Sequence, residues 1–95
     1  SALALVKIGG DINIFKAGCL SYTLTSMFPD NSIAWDTAGC VDISSDNFKE
    51  AEKKFLRAIE INRRLDVHWG NLGFVKQMQQ DYEGAKEAYE KALRL

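Results

Sequence analysis

The chain has 95 residues, a formal net charge of -1, and 46% hydrophobic against 26% charged residues. That length suits one domain with one continuous core, and the mixture is that of an ordinary globular fold rather than a disordered segment. A near-zero charge without a basic stripe argues against a nucleic-acid binder and gives no pull toward anionic membranes. The longest charge-free run, Ala17–Pro29, falls far short of the ~20 residues of a membrane span. The opening Ser1–Gly10 carries Lys7 and reads as no secretory leader. Cys19 and Cys40 lie far apart without a CxxC and with no histidine nearby. They read as buried free thiols in a reducing, cytoplasmic setting, although spacing alone does not exclude a disulfide.

Taken in chain order, Ala2–Gly9 reads as the tail of a helix closed by Gly9-Gly10. Ile14–Phe28 is predicted helical. Pro29-Asp30-Asn31 stops it, because proline cannot continue a helix and the residue before it avoids helical geometry. Ile33–Ser44 follows with Ser32 as its cap candidate, and Ser44-Ser45-Asp46-Asn47 is a turn cluster. Phe48–Arg64 has the clearest pattern: Phe48, Ala51, Phe55, Ala58 and Ile59 form an apolar stripe. Lys49, Glu50, Lys53, Lys54, Arg57 and Glu60 fill its other face. Asn47 and Glu50 are spaced as a capping box, Glu50 and Lys54 as an i,i+4 pair, and Arg63 and Arg64 fall in the last turn. Val67–Gln79 is preceded by Asp66 as a cap candidate. Tyr82–Leu95 repeats the earlier design, with Asp81 as cap and an inward stripe of Tyr82, Ala85, Tyr89 and Ala92.

A single spacing ties these segments together. Trp35 and Trp69, Gly39 and Gly73, Phe48 and Tyr82, Ala51 and Ala85, Phe55 and Tyr89, and Ala58 and Ala92 are all 34 residues apart. A fixed period of this length marks stacked supersecondary units, each unable to bury its apolar face alone. The expectation is therefore an all-α chain of six helices, a helix A and a helix B in each of three repeats.

The residues at this period resemble the tetratricopeptide repeat family, whose motif runs W-x2-L-G-x2-Y, A-x3-F-x2-A and P over 34 residues. The last repeat supplies Trp69, Leu72, Gly73, Ala85, Tyr89 and Ala92; the middle one supplies Trp35, Ala38, Gly39, Ala51, Phe55 and Ala58. The first supplies Ala17 and Pro29 but has Ser21 at the aromatic position. Asp42 and Lys76 replace the tyrosine of helix A, and Arg63 stands where proline usually ends helix B. The resemblance implies a right-handed α-solenoid of stacked antiparallel helix pairs, one domain over residues 1–95 with repeats at about 1–31, 32–65 and 66–95. By its phase the chain resembles a segment of a longer array, with no polar capping helix after Leu95.

In that family the A helices line a concave groove that holds an extended peptide or a short helix. Carried over residue by residue, the groove here takes Val6, then Ile33, Asp36, Thr37, Cys40 and Ile43, then Val67, Gly70, Asn71, Phe74, Gln77 and Met78. Asn71 stands where the family often bonds a ligand's main chain, a task suited to an amide; the alternative is a solvated side chain. Phe74 and Met78 share a face and offer an adaptable apolar patch, or else pack on the neighbouring A helix. The lysines and arginine with which one subclass grips acidic C-termini are replaced by Ala2, Asp36 and Val67, so an apolar or amphipathic peptide is the expected occupant. His68, the one histidine, reads as a surface residue, and no catalytic set, metal site or cofactor motif is found. The leading expectation is a protein-interaction module and not an enzyme. The alternatives are a self-associating or scaffold segment with exposed apolar ends, giving a homo-oligomer, and an accessory domain of a larger enzyme.

Overall fold

A computed structural model describes residues 19–95. The expectations for Ala2–Gly9, for Val6 and for the start of the Ile14–Phe28 helix lie outside those residues. Within them the chain is all-α: α1 (described over 19–27), α2 (Ser32–Ser44), α3 (Phe48–Ile61), α4 (Asp66–Met78) and α5 (Tyr82–Arg94). α2 packs on α3 and α4 on α5 as antiparallel hairpins; α3 packs on α4, and α2 touches α4. Each helix A thus meets the helix B before and after it, the stacking that the 34-residue period implied.

The hairpins close on the small residues of the period. A Cβ on Gly39 would lie 2.6 Å from Phe55 Cε1, and one on Gly73 would lie 2.8 Å from Tyr89 Cδ1. Both helix crossings therefore require a bare backbone. Ala38, Ala51, Phe55 and Ala58 are fully buried, and Phe55 shares a core with Ile59, Leu72, Val75 and Ala88. Both indoles are held in the same way: Trp35 Nε1 donates to the Pro29 carbonyl at 2.8 Å and Trp69 Nε1 to the Arg63 carbonyl at 2.9 Å.

The turns repeat as well. After α2, Asp46 N–H donates to the Ile43 carbonyl and Asn47 N–H to that of Asp42; after α4, Gln80 N–H donates to Gln77 and Asp81 N–H to Lys76. This is a Schellman closure, and the residue in its left-handed position is not glycine: Asp46 has φ 59° and Gln80 φ 66°.

Several local expectations are corrected. Asn31, rather than Ser32, caps α2, its Oδ1 accepting from the N–H of Ile33 and of Ala34. Asn47 precedes α3 without a side-chain bond, and Glu50 pairs with Lys53 at 3.4 Å instead of closing a capping box or reaching Lys54. α3 ends at Ile61, so Arg63 and Arg64 lie in the connection and not in its last turn. Asp66 is the first residue of α4, with Leu65 as its cap. Asp81 caps α5 as expected, accepting from Gly84 N–H at 3.1 Å. Tyr82, assigned to an inward stripe, is 65% exposed.

Lys54 leaves the charged face to which its sequence pattern assigns it. It turns inward and forms an ion pair with Asp42, which also accepts from the buried Ser21 hydroxyl at 2.8 Å. Ser21 Oγ lies 2.9 Å from the Ala38 carbonyl, so its one proton is shared between the two acceptors. Where the motif places aromatics at Ser21 and Asp42, this chain ties α1, α2 and α3 with a polar chain.

Candidate functional site on the A helices

α2 and α4 lie side by side and present one face. Ile33, Val67, Phe74 and Met78 are exposed on it, from 41% for Phe74 to 61% for Ile33. Thr37 and Cys40 are exposed beside them. Gly70 differs from the other described glycines: a Cβ there would meet nothing within 4 Å. A helix interior glycine costs roughly 1 kcal/mol relative to alanine, and no packing among the described residues requires it. It leaves a stretch of backbone open to close approach. Ile43 is drawn away from the face and packs against the core; Gln77 Oε1 accepts from the Tyr89 hydroxyl at 3.0 Å.

Asp36 is not the free groove carboxylate that the sequence implied. It is 7% exposed, and its oxygens accept from His68 Nδ1 at 2.7 Å and from Asn71 Nδ2 at 2.9 and 3.0 Å. His68, expected on the surface, is fully buried for the same reason: it reaches back from α4 to Asp36 on α2. The carboxylate accepts, so Nδ1 carries hydrogen; Nε2 is enclosed without a partner among the described residues. Two successive A helices are thus joined by a polar clasp.

The clasp sets what Asn71 offers. Its NH2 must face the carboxylate, because a carboxylate oxygen only accepts. Oδ1 is then turned away, and it makes no hydrogen bond among the described residues. Asn71 therefore presents an acceptor to a ligand rather than the donor-and-acceptor pair that the amide has when free.

Cys19 and Cys40 are free thiols, as expected, but both are exposed rather than buried. Cys40 Sγ lies 3.8 Å from Asp36 Oδ1. Partial burial pushes the Cys40 thiol up from its usual 9.0, and the charge and hydrogen bond of Asp36 push it further. An aspartate, a histidine and a cysteine lie together here, but burial and the aspartate both disfavour the thiolate and no hydrogen bond joins His68 to Cys40. The set is arranged to hold two helices and not to activate a nucleophile.

Among the described residues no helix is long and apolar enough to cross a membrane.

Sequence reasoning missed both polar clusters, although the period carried the signal. His68 stands one period after Ala34, Lys54 one period before Ala88, and Ser21 one period before Phe55. All three counterparts are buried, so a polar residue at each position marks an internal polar contact.

In comparison with known proteins, the family model described as Tetratricopeptide repeat matches residues 69–95. No curated protein matches the chain.

Proposed function

We propose that the chain is a protein-interaction module of the tetratricopeptide repeat kind that holds an apolar or amphipathic peptide against the α2–α4 face, a reading supported by the matched repeat at residues 69–95 and the same closures one period earlier. The observation that carries this reading is Gly70, bare in mid-helix with open space above it, beside the outward acceptor of Asn71. A peptide main chain approaches closely over Gly70 and donates an N–H to Asn71 Oδ1. Its apolar side chains settle on Val67, Phe74, Met78 and Ile33, with Thr37 and Cys40 at the margin. The single carboxylate, Asp36, is spent within the protein, so the face neither attracts nor repels charge strongly and recognition rests on area and main-chain bonding. The three repeats, at about 1–31, 32–65 and 66–95, act in this reading as one domain.

The test is selection of displayed peptides on the immobilised chain. Enriched sequences should carry large apolar residues without runs of Asp or Glu. They should protect Cys40 from alkylation and lose binding to Gly70→Leu, which fills the open space while leaving the core untouched. Selected peptides that bind Gly70→Leu and the parent chain equally, with Cys40 unprotected, defeat the proposal.

A second reading has its own support. Leu93, the counterpart of Ile59, is 87% exposed, whereas Ile59 is 6% exposed and shares the core with Leu72 and Val75 of α4. The outer face of α5 is therefore suited to another helix, whether from a second copy or from a scaffold neighbour. Light scattering that shows a monomer at high concentration removes the second copy.

A further inference from the structure

We propose a second binding site, separate from the A-helix face: a cleft beside Trp69 that takes an acidic peptide segment of a protein partner. The space between α3 and α5, about 460 Å³, is lined by Leu56, Ile59, Glu60, Arg63, Trp69 and Lys91. A neighbouring space of about 210 Å³ shares Arg63, Trp69 and Lys91 with it and is lined also by Arg94 and Leu95. Its floor is apolar and its rim carries three cations. Lys91 Nζ sits 4.5 Å above the Trp69 ring, a contact that positions the ammonium without cancelling its charge. Arg63, Lys91 and Arg94 are exposed, and none of them is in an ion pair among the described residues. The one carboxylate in the lining, Glu60, is taken by Arg57 at 2.8 Å.

The repeat supplies an internal control. One period earlier the same positions are Pro29, Trp35, Arg57 and Glu60. The indole is held identically there, and a cation again lies over it, Arg57 at 5.9 Å. Glu60, however, neutralises that arginine, and Pro29 contributes no charge. In the last repeat, glutamate becomes Arg94 and proline becomes Arg63. Two departures from one scaffold fall on one cleft and change its pair of opposite charges into three positive ones. Neither change is needed for packing, since both side chains are exposed. The whole chain is near neutral, which favours a local carboxylate site over a nucleic-acid track. The apolar floor of Leu56, Ile59 and Trp69 favours a peptide with hydrocarbon beside its carboxylates over a small inorganic anion.

The test uses a fluorescein-labelled peptide of alternating Glu and Leu, with its Gln counterpart, followed by anisotropy on the full chain. The Glu peptide should bind, the Gln peptide should not, and affinity should fall steeply with salt. Arg94→Glu, which restores the earlier repeat's charge, should weaken binding by roughly tenfold or more, and Arg63→Gln by less. Circular dichroism confirms that both variants stay helical. Asn71→Ala and Gly70→Leu should leave this binding unchanged, which separates its failure from that of the A-helix reading. The proposal is overturned if the Gln peptide binds as well, if Arg94→Glu binds undiminished, or if Gly70→Leu abolishes binding. It is also overturned if a single-stranded oligonucleotide displaces the Glu peptide with equal affinity, which would make the cleft a general polyanion sink.

Discussion

Replacing Gly39 by alanine isolates the close helix crossing on which the repeat depends. The new methyl would sit 2.6 Å from Phe55 Cε1 and 2.9 Å from both Cδ1 and Cζ. Ordinary carbon–carbon contact needs about 3.5–4.0 Å, so the ring must retreat by roughly 1 Å. It has nowhere to go, being fully buried within the cluster of Ala51, Ile59, Leu72, Val75 and Ala88. Overpacking of this kind costs about 1–3 kcal/mol, and the upper end applies to an enclosed ring. Alanine returns about 1 kcal/mol of helix propensity. The net loss is about 2 kcal/mol, which lowers Tm by roughly 8–16 °C in a domain of this size. Two controls sharpen the measurement. Gly73→Ala meets Tyr89 at 2.8 Å, but that ring is only half-buried and swings outward, so the cost is smaller. Gly70→Ala meets nothing and raises stability by up to about 1 kcal/mol. Thermal and urea unfolding of the three variants should rank them Gly70→Ala, Gly73→Ala, Gly39→Ala from most to least stable. In a Phe55→Leu background the penalty of Gly39→Ala should shrink, since Cε1, the closest of the clashing atoms, and Cζ are gone. A Gly39→Ala protein as stable as Gly70→Ala would refute the close-crossing argument.

Lys54→Met leaves Asp42 buried with the Ser21 hydroxyl alone and should cost about 3–5 kcal/mol, read from urea unfolding; adding Asp42→Leu and Ser21→Ala should recover most of it, because an apolar replacement of the whole set is tolerated where a broken pair is not. Gln80→Gly relieves a left-handed residue at φ 66° and should raise stability by about 1 kcal/mol in thermal unfolding; Asp46→Gly should gain less, since aspartate tolerates that region better. The Cys40 thiol is pushed up in the folded protein, so the unfolded chain releases its proton first. Stability from this group is complete below its ordinary value of 9.0 and declines as pH rises from there through the folded value. A Cys40→Ser chain should lack that part of the alkaline decline in its urea midpoint, and a parent chain with the same alkaline profile would count against the burial and Asp36 argument.

The period made the hairpins legible because close crossings need small residues, and Gly39, Gly73, Ala51 and Ala85 are small at every crossing. Helix ends were less legible. Asn31 and Ser32 are both good caps, and the choice between them depends on where the chain leaves Pro29. Charged residues misled most. Lys54 fits a solvated stripe by spacing within its own helix, yet its place in the repeat is that of Ala88, an interior position; only a carboxylate on another helix makes a lysine stable there. His68 fails in the same way. A lone histidine next to Trp69 has no partner in the linear sequence, and its partner, Asp36, is 32 residues away on α2, the preceding A helix. The Trp69 cleft was legible only in part: Arg63 in place of proline is visible as a departure, but its convergence with Lys91 and Arg94 is a property of the stack.

The two polar clusters add directional bonds at joints that the close apolar crossings already bring together. A bond between Asp36 and His68 has one register only, and a slip by one residue would leave a buried carboxylate and a buried imidazole unpaired at a cost of several kcal/mol. The same clasp turns the Asn71 amide, so the setting of α4 on α2 and the polarity offered to a ligand are decided by one carboxylate. Asp36→Asn separates the two roles. The amide still bonds His68 and holds the helices, but it presents a donor as well as an acceptor, and Asn71 is freed to flip. The expected result is a small loss of stability in urea unfolding together with a clear change in the peptides selected on the A-helix face. Unchanged selection with unchanged stability would show that Asp36 sets neither the register nor the polarity of that face.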